Sequence, residues 1–400
     1  MNTKKIPAPV FVLAQLAAIL FVPFSLNAEP IVSPSWDFRI DLPGEYEYVA
    51  GDGKDKFTFH SSGGAIFEIA VYPPGNRPAY PTPQVLAADI QKRLRNNGEI
   101  SDFEYRNRKA VLLELDFSTG QGSRLSGWGL CLELETREKG TPLLLALAYG
   151  DAGKAELQAL HLSALDSLAP SVGDRRTPGP VTEYAYPRGN RIRVSPAGLN
   201  LEAYVREQDR EGAQALVERE FEVLKRSADP QDSPRWKSAW ARFYRIIYRD
   251  SFSRLSEIAF ALERHWAAAA PDRDIVSNEQ APGDLAGKAL KWVQNFTYER
   301  DLTGSDFVNL VSAAIDGRGD CDSRSMLWAI IMEQANVPAA IMVSADYSHA
   351  MGLIDIPGPG ARFELDGTRW LVAETTAAVN LGRIEQKMSD PTYWLGIIFQ

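Results

Sequence analysis

Short apolar-rich runs separated by turn residues recur from Trp36 to about Pro170. "LCLELE" within "WGLCLELETRE" alternates strictly, while "KFTFHSS", "AIFEIAVYP", "KAVLLELDFST" and "PLLLALAYG" are short apolar-rich runs bounded by turn residues, and the shorter "WDFRIDLP" precedes them. That pattern predicts strands, with turn residues in the gaps. Two stretches change period. "TPQVLAADIQKRLRNNG" reads as a helix with Gly98 just past its end, and "AELQALHLSALDSL" reads as an amphipathic helix closing the unit. Strands first, one helix within and one at the end, predict an antiparallel sheet with covering helices, an α+β arrangement.

After this unit, Ser171 to Arg188 holds Gly173, Pro178, Gly179, Pro180 and Pro187 and reads as a linker. A short strand follows around Arg191 to Val194, and then the chain turns helical. In "RWKSAWARFYRIIYRD", Trp236, Trp240, Phe243, Tyr244 and Ile247 share one helical face, with Arg242, Arg245 and Arg249 opposite. Such a stripe can bind a sugar or an anion, but a core face with a solvated back is the commoner use. The expected organisation is a leader over 1–28, an α+β domain over 29–172, a linker over 173–190, a helical region over 191–285 and a second α+β domain over 286–400.

Composition is that of a globular protein, with 45% hydrophobic and 24% charged residues and a net charge of −9. An acidic chain is a poor partner for nucleic acid or anionic membrane surfaces. Lys4 and Lys5 precede an apolar run from Val10 to Phe24, which ends in "SLNA" before Glu29. This is the layout of a cleaved secretory signal, which predicts an exported protein, periplasmic or secreted. An uncleaved anchor is the competing reading, against which Pro7, Pro9 and Pro23 argue. No later run predicts a membrane span. Export would permit a disulfide between Cys131 and Cys321, the only two cysteines, although a stapled framework uses more.

The chemistry gathers in the last third. "GRGDCDSRSM" contains Arg-Gly-Asp, three common residues whose glycine has a turn to make, so adhesion is the weaker reading. Asp320 suits the cap of a helix running through "SRSMLWAIIMEQANVP", which Asn336 and Pro338 end. Cys321 then lies in the first turn, where free N–H groups and the helix dipole favour a thiolate. Two strand-like runs in "PAAIMVSADYSHAMGLIDIP" follow, the second opened by His349. "ARFELDGTRWLVAETT" is a hairpin turning at Asp366-Gly367, and Glu374 closes its second strand. Nucleophile, base and orienting carboxylate thus occur in workable order. Each has a plainer alternative: a buried apolar cysteine, a bonded strand histidine and an ordinary strand-end carboxylate. Asp320 and Asp322 form too short an acidic run to assert calcium, and the four histidines are too scattered in sequence to assert zinc. No cofactor or metal is expected.

"GDCDSRSMLWAIIMEQANVPA", "SHA" and "GTRWLVAETT", in that order over roughly 286–400, resemble the catalytic core of the transglutaminase-like superfamily. The resemblance implies a papain-like arrangement, with Cys321 as nucleophile, His349 as general base and Glu374 as third member. It also implies a helix bearing the cysteine packed on an antiparallel sheet bearing the histidine. Two positions depart from the family: Glu374 stands where Asp is usual, and Met351 where an aromatic often follows the histidine. Gln294 and Tyr298 are candidate oxyanion donors. The N-terminal order of elements resembles the small α/β sandwich of PsbP-like proteins. The function expected is a peptidase or amidase acting on a protein or peptide through a thioester. The alternatives are an amine-accepting transglutaminase and a catalytically silent binding module of the cell envelope.

Overall fold

The computed structural model describes residues 29–76, 78–228, 233–268, 281–300 and 305–399, so the expected leader lies outside the described residues. The fold is α+β, and the chain divides into two compact units. The first comprises residues up to 172 together with 179–184, and the second comprises 173–178 and 185 onward. The stretch expected as a linker is therefore shared between the two, and it carries a short helix, Pro180–Ala185.

The first unit is built on seven antiparallel strands: β1 Tyr46–Gly51, β2 Lys56–Ser61, β3 Ile66–Tyr72, β4 Ile100–Tyr105, β5 Arg108–Ser118, β6 Arg124–Glu133 and β7 Leu143–Asp151. Their order across the sheet is β1-β2-β3-β7-β6-β5-β4. Helix α1, Pro83–Leu94, starts where Thr82 accepts a bond from the Val85 N–H, and it ends on Arg95 in the left-handed region rather than at Gly98. It buries Leu86, Ala87, Ile90 and Leu94 against Val111, Leu113, Leu145 and Leu147. Helix α2 covers Gln158–Asp166. "WDFRIDLP" contributes only the two-residue strand Arg39–Ile40.

The second unit places helices around a five-stranded antiparallel sheet. The helices are α3 Asp209–Lys225, α4 Ser233–Arg254, α5 Ser256–Ala268, α6 Ala281–Gln294, α7 Leu310–Asp316 and α8 Cys321–Gln334. The strands are β8 Ala339–Ser344, β9 His349–Ile354, β10 Arg362–Leu365, β11 Thr368–Ala373 and β12 Leu395–Ile397, ordered β10-β11-β9-β8-β12. One hydrophobic cluster runs from Leu216 and Tyr244 through Leu262 and Leu290 to Trp328, Ile341 and Ile354. The helical region and the last 115 residues therefore share a core.

The aromatic stripe of α4 is a core face, as Phe243, Tyr244 and Ile247 are buried. Its expected solvated back is corrected in part. Arg242 and Arg249 are also buried, and Arg242 Nη1 lies 2.7 Å from the Glu220 carboxylate. A second packed surface with a partner for the charge makes an arginine face compatible with the interior.

Candidate active site

Helix α8 begins where the sequence places its cap, with Asp320 accepting the Ser323 N–H at 2.8 Å. The turn before it depends on Gly317, whose φ of 66° is left-handed. A Cβ there would also meet Ala197 at 2.7 Å. The Arg-Gly-Asp sequence is consequently not a displayed loop. Arg318 pairs with Glu299 at 2.6 Å, and Asp320 is buried under the helix start.

Nearly all of α8 is interior, including Met326, Trp328 and Ile330. It packs close to β9 because Gly352 leaves room for the Trp328 ring; a Cβ there would lie 2.5 Å from it. Close approach of this helix to this strand brings the Cys321 sulfur to the Ala350 N–H, one residue beyond His349. The Tyr298 hydroxyl also meets the sulfur.

His349 opens β9, and its Nε2 lies 2.8 Å from Glu374 Oε2, just past the end of β11. The other carboxylate oxygen accepts the Thr376 N–H and hydroxyl, both at 2.7 Å. Burial opposes the Glu374 charge, but the bonds from His349 and Thr376 outweigh it and hold the carboxyl below its usual range. With Nε2 engaged by Glu374, Nδ1 is the nitrogen left to take a proton. Among the described residues no hydrogen bond joins the Cys321 sulfur to His349 directly.

The thiolate expected from the helix start is corrected. Cys321 is only 3% exposed, and burial pushes its thiol well up, with Asp322 and Asp320 adding to the shift. The Ala350 N–H and the Tyr298 hydroxyl pull the other way without prevailing. The two aspartates themselves lie above the usual carboxylate range, burial being the largest cause, and the Asp320 charge adds to the shift at Asp322. Asp322 keeps part of its surface but takes a bond from the Tyr244 hydroxyl of α4. Burial and the two neighbouring aspartates thus favour the thiol form of Cys321 over the thiolate.

Of the two candidate oxyanion donors, Gln294 is withdrawn. Its amide nitrogen donates to the Glu374 carbonyl at 2.8 Å and the Val379 carbonyl at 2.9 Å, bracing the segment after β11. Tyr298 remains, 52% exposed with its hydroxyl at the sulfur. Sequence reasoning missed Arg324. It is buried without a carboxylate bond and donates instead to the Gly319 carbonyl at 3.0 Å and the Phe296 carbonyl at 2.7 Å. Its guanidinium carbon lies 5.5 Å from the centre of the Tyr298 ring, so it braces the strand pair Thr297–Tyr298 and Arg318–Gly319 beside the thiol. An arginine three residues into a helix otherwise interior was the available signal.

Both cysteines are free thiols. Among the described residues no group of three or more metal-ligating side chains is placed to hold a metal, and no helix is long and apolar enough to cross a membrane.

No protein-family model matches the chain, and no curated protein does. Solved structures with some likeness include LpqN of Mycobacterium tuberculosis, described as involved in cell envelope biogenesis. It is 10% identical, with a TM-score of 0.25, over 36% of this chain and 90% of that one. Another is cyanobacterial PsbP from Synechocystis, 8% identical, with a TM-score of 0.28, over 40% of this chain and 98% of that one. A third, called a putative protease of Parabacteroides distasonis, is 7% identical, with a TM-score of 0.22, over 84% of this chain and 68% of that one.

Proposed function

We propose that this is an exported cysteine enzyme, transglutaminase-like in its C-terminal part, that cleaves amide bonds in a protein or peptide through a thioester. The observation that carries the reading is the 2.8 Å bond from His349 to Glu374, set one residue from the N–H that meets the Cys321 sulfur. A glutamate held ionised by three bonds orients the imidazole and stabilises it once protonated.

In the proposed reaction His349 takes the Cys321 proton as the sulfur attacks the amide carbonyl. The negative oxygen forms beside the Tyr298 hydroxyl at the N-terminal end of α8, where the helix dipole favours negative charge. The C–N bond breaks, and the imidazolium returns its proton to the leaving amine. Water then attacks the thioester and loses a proton to His349. The carboxylic product leaves, and the sulfur regains its proton. An amine in place of water would give transamidation.

The thiol's 3% exposure favours a second reading, a module that binds without chemistry. The test is alkylation of Cys321 in a Cys131→Ser background, with and without His349→Ala, followed by incubation with a protein substrate. His349-dependent labelling with fragments supports hydrolysis, and crosslinks support amine transfer. Thiol reactivity that ignores His349 returns the site to the binding reading.

A further inference from the structure

At the end of the sheet that carries the histidine, a row of rings leads from His349 to the surface. The His349 and Trp394 ring centres are 6.4 Å apart, Trp394 and Tyr347 5.5 Å, and Tyr347 and Tyr393 5.5 Å. The topology explains the row. His349 pairs with Ser344 across β9 and β8, and Val343 pairs with Leu395 across β8 and β12, so Trp394, just before β12, lies one strand further along. Tyr347 comes from the β8–β9 turn, where its N–H bonds the Ser344 hydroxyl at 3.1 Å. Trp394 is buried and anchored through its indole N–H to the Met388 carbonyl at 2.8 Å. Tyr393, by contrast, is 48% exposed.

The rim of this row is acidic. The Tyr347 hydroxyl accepts the Asp390 N–H, and the charges of Asp390 and Asp346 act on it. Asp390 accepts the Thr392 N–H at 3.0 Å and the Thr392 hydroxyl at 2.7 Å, which keep it ionised. Among the described residues neither Asp346 nor Asp390 has an ion-pair partner, and Lys387 is taken up by Glu385 at 3.0 Å.

We propose that the face formed by Tyr393 and Tyr347, backed by the buried Trp394, is a subsite for a lysine or arginine side chain of the polypeptide substrate. Electron-rich ring faces and two unpaired carboxylates suit a cation and repel an acidic side chain. The placement rests on the proposed reaction. His349 hands its proton to the leaving amine, so a row beyond His349 lies on the leaving-group side of the cleaved bond. The basic residue recognised there follows the bond that breaks.

The test measures binding to the full chain carrying Cys321→Ser, by tryptophan fluorescence or calorimetry, using tetralysine amide, tetraglutamine amide and tetraglutamate. Tetralysine is expected to bind about five- to tenfold more tightly than tetraglutamine, the scale of one cation over a ring plus partly screened charge. Most of that preference should disappear in Tyr393→Leu and in Asp390→Asn, both surface changes that spare the fold. Equal binding of the three peptides overturns the subsite, as does a lysine preference that neither variant touches, which would reflect the acidic chain as a whole. Alkylation of Cys321 reads the nucleophile separately. Lysine preference without an activated thiol keeps the subsite and removes the leaving-group assignment, whereas an activated thiol without the preference removes the subsite alone.

Discussion

Glu68 and Glu374 are both buried glutamates, one in each unit, and their ionisation is pushed in opposite directions. Glu68 lies mid-strand in β3, 4% exposed, with one carboxylate oxygen lacking a hydrogen bond. Burial pushes its carboxyl up to about 7, although the Tyr149 hydroxyl beside it favours the charge. Glu374 is 7% exposed, yet His349 and Thr376 hold it below the usual range. Burial sets the cost of a carboxylate in both places, and the number of donors decides whether the charge survives. The cysteines draw a parallel contrast. Cys131, in β6, meets apolar neighbours and is pushed up by burial alone. Cys321 is pushed up as well, but an N–H, a phenol and a neighbouring histidine strand surround it. Both are buried, but only Cys321 has polar donors at its sulfur, the setting on which its proposed role as nucleophile rests.

The largest effect should come from His349, the proposed base. His349→Ala is expected to lower alkylation of Cys321 at pH 7 by ~100-fold, within the usual range of a positioned general base. Cys131 should stay unlabelled in the folded protein, which mass spectrometry of the alkylated peptides would show.

Next comes the stability of the first unit. The folded Glu68 carboxyl titrates at about 7 against 4.5 in its ordinary setting, so the folded state binds the extra proton between those values. Its penalty is absent below about pH 4.5, grows through the window and is complete above about pH 7. Glu68→Gln should therefore raise unfolding stability by up to ~3 kcal/mol at pH 8 and by little at pH 4. Denaturant melts at the two values check this, and equal gains at both would show that charge is not the cause.

Glu374 carries the opposite sign. Its contribution is present above its unfolded value and fades as pH falls through the lower folded one. Glu374→Gln should flatten acid unfolding of the second unit below about pH 4.5, a change read from paired acid titrations of variant and parent. Gln294→Ala removes two bonds to the segment after β11 and should cost ~1–2 kcal/mol. It should also slow His349-dependent alkylation severalfold, because the Glu374 carbonyl loses its brace. The smallest effect is Thr82→Ala at the start of α1, about 1 kcal/mol in thermal unfolding.

How much of this was legible in the sequence depends on where information is local. Helix α8 could be read from Asp320, its apolar length and Asn336, because caps and turn residues act within a few positions. Asp366 and Gly367, with φ of 49° and 75°, make the hairpin turn that the dipeptide predicts. Strands β1 and β4 were missed. Both lie at sheet edges, and "YEYVAG" and "ISDFEY" are largely exposed, so neither carries a strong apolar alternation. The burial of Arg242 was equally hidden, since Glu220 comes from another helix. At the site, Cys321, His349 and Glu374 could be read as an ordered set. The height of the thiol's pKa was not, because burial belongs to the assembled fold. Nor could a sequence place Trp394 beside His349, since that follows from β12 returning to pair with β8.

The most direct test of the central claim is the pH profile of Cys321 alkylation in Cys131→Ser, measured beside the same protein with His349→Ala. The account predicts substantial labelling at pH 7 that depends on His349, with the profile of the histidine variant displaced upward and titrating above the ordinary thiol value of ~8.5. Two superimposable profiles would contradict it. Cys321 would then be a buried thiol like Cys131, and the bond between His349 and Glu374 a structural one.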